Sequence, residues 1–63
     1  MDKTLEILLK QCREKRISLA DSVSSGSAKD YAEYRALCGE IRGLLIAESY
    51  MTDLARNLEN MDD

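Results

Sequence analysis

Apolar residues fall at Leu5, Leu8, Leu9, Cys12, Leu19, Ala20 and Val23, a spacing of threes and fours that keeps them on one helical stripe. This pattern predicts a first helix over about residues 3–23, with Asp2 or Thr4 available to cap its start. The run SSGS at 24–27 breaks the rhythm, because glycine and clustered serines favour a turn over helix continuation. Ser27 followed by Asp30 has the form of a capping box with Asp in place of Glu, so a second helix is expected from about residue 28 to residue 60. The closing residues 60–63 are expected to form a loose acidic end, since negative charge opposes the helix dipole there. Two helices joined by so short a link are antiparallel neighbours. The fold class is therefore all-α, a helical hairpin occupying residues 1–63 as one domain.

The second helix carries two apolar faces. Tyr34, Leu37, Ile41, Leu44, Met51, Ala55 and Leu58 make a broad face of large side chains, the expected seat for the first helix. The hairpin core is accordingly expected to contain Leu5, Leu8, Leu9, Cys12, Leu19, Val23, Tyr34, Leu37, Ile41, Leu44 and Met51. On nearly the opposite side lie Ala32, Ala36, Gly39, Gly43 and Ala47, continued by Tyr50, Leu54 and Met61. Two glycines inside a helix cost about 1 kcal/mol each relative to alanine, so their alignment with three alanines points to close approach by another helix. No third helix exists in the chain. The expected self-association interface is thus Ala32, Ala36, Gly39, Gly43, Ala47, Tyr50 and Leu54, with a dimer built as an antiparallel four-helix arrangement.

Matching across the short turn places Met51 level with the first residue and leaves everything from Thr52 onward overhanging. The same matching puts Arg16, which interrupts the first stripe, near Ala36 and Leu37 and away from Glu48, which interrupts the second. On this register the two charges form no intrachain pair. Each reaches solvent, or meets an opposite charge across an oligomer interface.

Composition narrows the chemistry. Sixty-three residues make a small core that gains from oligomerisation, and the absence of proline leaves long helices unbroken. The net charge is −3, distributed as +1 over residues 1–23 (five basic, four acidic) and −4 over residues 24–63 (four basic, eight acidic). A mild acidic excess argues against nucleic acid as a partner. Within KQCREKR at 10–16, Lys10, Arg13, Lys15 and Arg16 fan around the helix and read first as a solvated surface. No apolar run approaches the roughly 18 residues of a membrane span, and the first residues lack a signal-peptide core, so no membrane partner and an intracellular location are expected. Cys12 and Cys38, without histidine or a C-x-x-C pair, suggest no metal site and read as small buried hydrophobes. The serines at 22, 24, 25 and 27 have no base beside them. No catalytic residue, cofactor or phosphate-binding loop is expected, and the chain reads as non-enzymatic.

Residues 28–54, AKDYAEYRALCGEIRGLLIAESYMTDL, resemble small uncharacterised helical proteins of tailed bacteriophages, often encoded near head and portal genes. The shared pattern is K-D-x-x-x-Y-R-x-L-x-G-x-I-x-G-L-x-x-A, matched here by Lys29, Asp30, Tyr34, Arg35, Leu37, Gly39, Ile41, Gly43, Leu44 and Ala47. The resemblance implies a phage gene product in the host cytoplasm or the virion, with phage structural proteins or a host protein as partners, and no activity. The leading expectation is an interaction protein, virion-associated or in head assembly, that acts as an oligomer. The alternatives are a regulator that inhibits a host protein and, behind it, a nucleic-acid module using residues 10–16.

Overall fold

The computed structural model describes residues 2–61 and is all-helical: α1 spans Lys3–Ser24 and α2 spans Tyr31–Met61. The two pack side by side as a hairpin measuring 51 × 15 × 13 Å. The Asp2 carboxylate accepts the Leu5 N–H at 2.9 Å, which settles the choice of first cap. α1 ends in a Schellman turn, with Gly26 N–H donating to the Val23 carbonyl and Ser27 N–H to the Ser22 carbonyl, both at 3.1 Å. Gly26 sits at φ +79°, where a side chain would be strained.

The start of α2 departs from the sequence expectation by three residues. The Ser27 hydroxyl donates backward to the Ser22 carbonyl at 2.7 Å, so it closes α1 and does not open α2. Asp30 is the cap of α2, accepting the Glu33 N–H at 2.8 Å. The link is therefore residues 25–30, longer than the expected 24–27. At the other end α2 is helical through Met61, one residue past the expected end. Asp62 and Asp63, the rest of the expected acidic end, and Met1 lie outside the described residues.

A single heptad seam joins the helices. Leu9, Arg16 and Val23 of α1 and Ile41, Glu48 and Ala55 of α2 occupy position a; Leu5, Cys12, Leu19, Leu37, Leu44, Met51 and Leu58 occupy d. The core is thin. Leu9, Leu19 and Ala55 are its buried apolar members, and the charged Glu48 is buried among them.

The register differs from that inferred from turn length. Arg16 Nε and Nη2 donate to the two oxygens of Glu48 at 2.6 and 3.2 Å, and Arg13 Nε stands 3.9 Å from the same carboxylate. Ala55 is only 3% exposed, which in a two-helix molecule requires α1 to lie over it. Both facts set the residue numbers facing each other to add to about 60, one heptad from the expected value of about 52. Arg16 and Glu48 do form an intrachain pair, contrary to the expectation. Thr52 onward does not overhang as a block; the first turn and a half of α2 projects instead, beyond the end of α1. Tyr34 lies in that projection and is 43% exposed, so it is not a core residue. Leu8, also expected in the core, is 45% exposed because it falls beside the seam at position g.

Candidate interaction surfaces

The Arg16–Glu48 pair is the polar centre of the hairpin. Both side chains interrupt otherwise apolar seams, and in each helix the side chain leans toward its own N-terminus, which in an antiparallel pair brings the two tips together. The hydrogen bond from Arg16 holds the Glu48 carboxyl below its ordinary value of 4.5; burial opposes this, and the Arg16 and Arg13 charges add to it. The same bond raises Arg16 above its already high value. Register, not reactivity, is what this arrangement governs. A slip of one heptad either way would set Arg16 level with Leu37 or Met51 and Glu48 level with Leu5 or Leu19, leaving two charges among apolar groups without partners.

In an antiparallel pair the e positions of both helices share one flank and the g positions share the other. The two flanks differ in chemistry. On the g side, Leu8 of α1 lies near the level of Leu54 of α2, with Ala47 and Met61 above and below and Ala36, Gly43 and Tyr50 at the adjoining c positions. Ala32 and Gly39 lie on the outermost line of α2. Of the expected interface residues, Ala32, Ala36, Gly39, Gly43, Tyr50 and Leu54 are exposed and Ala47 is half-buried. Tyr50 is 70% and Leu54 49% exposed, and a Cβ built on Gly39 or Gly43 meets nothing within 4 Å. The structure thus brings the seven together as an open face and adds Leu8 to it. Sequence reasoning placed Leu8 in the core because it counts equally well toward either side of a three-four rhythm.

The e flank is basic. Lys3, Lys10 and Arg13 of α1 and Arg35, Arg42 and Arg56 of α2 lie on it or at the neighbouring b positions, with Glu6 and Glu59 the acidic members. Ile17 and Leu45 are exposed on the same side, and sequence reasoning had assigned them to no face. At its upper end a shallow depression is lined by Tyr31, Tyr34, Arg35, Cys38, Gly39 and Arg42, from the projecting turns of α2 and the two turns that follow them. The rings of Tyr31 and Tyr34 stack with centroids 6.2 Å apart and planes at 28°. A hydrogen bond with the Cys38 thiol raises the Tyr34 phenol above its ordinary value of 10.0.

No protein-family model, curated protein or solved structure matches this chain. Function therefore rests on these surfaces. Cys12 and Cys38 are half-buried free thiols, on the seam and beside it. Among the described residues no group of three or more His, Cys, Asp or Glu is placed to hold a metal ion. Nor is any helix among them long and apolar enough to cross a membrane.

Proposed function

We propose that this protein is a non-enzymatic interaction module that works as an oligomer, a homodimer in the first instance, in the particle or head assembly of a tailed bacteriophage. The observation that carries the proposal is the open g-side face of α2, where Tyr50 and Leu54 stand exposed beside Gly39 and Gly43 with free space above them. A hairpin with so thin a core gains stability by covering such a face, and small residues let a second backbone approach closely. The phage setting is supported by the resemblance of residues 28–54 to small phage proteins. Sedimentation of the wild-type chain and of Gly39→Leu/Gly43→Leu tests the oligomer: a dimer that becomes monomeric on substitution supports it, and a wild-type monomer at high micromolar concentration refutes it. Copurification with assembled particles tests the setting, whereas a stoichiometric complex with a host enzyme would move the chain to the regulator class.

A further inference from the structure

We propose that the e flank binds single-stranded nucleic acid, on a surface that adjoins the oligomer face at Gly39 and is otherwise made of different residues. The acidic total of the chain conceals a segregation that only the folded hairpin displays. Six of the nine basic residues, Lys3, Lys10, Arg13, Arg35, Arg42 and Arg56, lie on this one flank, drawn from both helices. At the e and b positions themselves six basic residues face two acidic ones, Glu6 and Glu59, while Glu14, Glu48 and Asp53 approach from neighbouring positions, on a molecule whose total is −3. The shifted register is what interleaves them. Going down the axis from the projecting end come Arg35, Arg42, Arg13 and Lys10, then Lys3 and Arg56, a track of about 33 Å at the helical rise.

Some of these charges have company: Arg13 stands 3.9 Å from Glu48, Lys10 3.9 Å from Glu14 and Arg56 3.8 Å from Asp53. Such contacts are long and, apart from that to Glu48, exposed, and a phosphate competes with them readily. Charge alone would suit any polyanion. The upper end of the track decides for nucleic acid, because there the exposed, stacked Tyr31 and Tyr34 stand beside Arg35 and Arg42 in one depression. Aromatic rings next to guanidinium groups offer unpaired bases a stacking surface and their phosphates a counter-charge. Duplex DNA hides its base faces and leaves the tyrosines without work.

The test is fluorescence anisotropy of the full chain with a labelled thymidine 20-mer, a 20-base-pair duplex and a base-free polyanion such as heparin. Contact with about four phosphates predicts roughly a fifty-fold loss of affinity for the 20-mer between 50 and 200 mM salt. Tyr31→Ala/Tyr34→Ala should weaken the 20-mer about fivefold or more while leaving heparin unchanged. Arg35→Gln/Arg42→Gln should weaken both and flatten the salt dependence. These four side chains are exposed, and circular dichroism checks that each variant keeps its helix content. No binding of the 20-mer at 50 mM salt overturns the proposal. So does binding indifferent to the tyrosines, which would mark a plain polyanion or acidic-protein surface, and so does preference for phosphatidylserine vesicles over the 20-mer. Sedimentation of the same variants keeps this outcome distinct from that of the oligomer, since none of the four substitutions touches the g-side face.

Discussion

Arg16 and Glu48, 32 positions apart in the chain, meet through two hydrogen bonds of 2.6 and 3.2 Å at the middle of an otherwise apolar seam. Each is the charged interruption of its own heptad pattern, and each is the partner that makes the other tolerable. Removing one leaves a charge in the seam without compensation, whereas removing both leaves a continuous apolar stripe. Glu48→Leu alone should therefore lower the urea midpoint sharply, and Arg16→Leu/Glu48→Leu should restore it to the wild-type value or above. The double variant should also lose its unique register, visible as extra resonances or broadened cross-peaks in NMR spectra. A double variant as unstable as the single one would show that the pair is not coupled.

Protonation of Glu48 is a second way to break the pair. Its folded-state pKa lies below the ordinary 4.5, so the stabilisation is fully present above that value and is lost as pH falls through the depressed one. Helix content followed by circular dichroism should fall as the pH is taken below about 4.5. Glu48→Gln should remove most of this acid dependence while lowering stability at pH 7. Acid titrations of the two proteins that run in parallel would contradict the assignment.

The thin core makes single truncations severe. Leu9→Ala should cost about 2–3 kcal/mol, the lower part of the range for buried leucines, because the hairpin can close partly over the space. Ala55→Leu should cost about 1–3 kcal/mol through overpacking where α1 lies close. If register were set by turn length, Ala55 would stand free and the larger side chain would be harmless. Denaturant unfolding of both variants separates the two cases.

Gly39 and Gly43 offer a contrast between helix propensity and association. A methyl group meets nothing within 4 Å at either position, so Gly39→Ala/Gly43→Ala should stabilise an isolated hairpin by about 1 kcal/mol per site. If two copies meet over the glycines, the same change should weaken the dimer even as it stabilises the monomer. Melting temperature measured across a hundredfold range of concentration distinguishes these, because only association makes it concentration-dependent.

Gly26 is the position where backbone freedom is required. At φ +79° a Cβ is strained by roughly 1–2 kcal/mol, so Gly26→Ala should lower stability although it fills open space. Gly26→Asn should cost less, since asparagine tolerates the left-handed region.

Much of the fold was legible from local chemistry. The three-four rhythm from Leu5 to Val23 and from Leu37 to Leu58 defines two helices, and Asp2 and Gly26 mark ends that depend only on neighbouring backbone groups. Ser27 misled because a serine can cap a following helix or tie back to the previous one, and that choice depends on the three-dimensional path of the link. Ala32 through Leu54 were recognised as an open face because a stripe of small residues opposite the seam is a property of one helix alone. The basic flank was not, because Lys3, Lys10 and Arg13 become neighbours of Arg35, Arg42 and Arg56 only after the helices are set side by side.

The sequence by itself determined two amphipathic helices, their antiparallel order and the positions that face the seam, since these follow from residue periodicity and end chemistry. The tertiary structure decided the register, and with it which end of α2 projects, whether Tyr34 is covered, and which charges stand at the same level. The physical reason is that an apolar seam repeats every heptad and a six-residue link reaches more than one setting. Leucine contacts alone leave neighbouring registers nearly equal in energy. Burying Arg16 and Glu48 apart would be far costlier than burying them together, and that difference selects one.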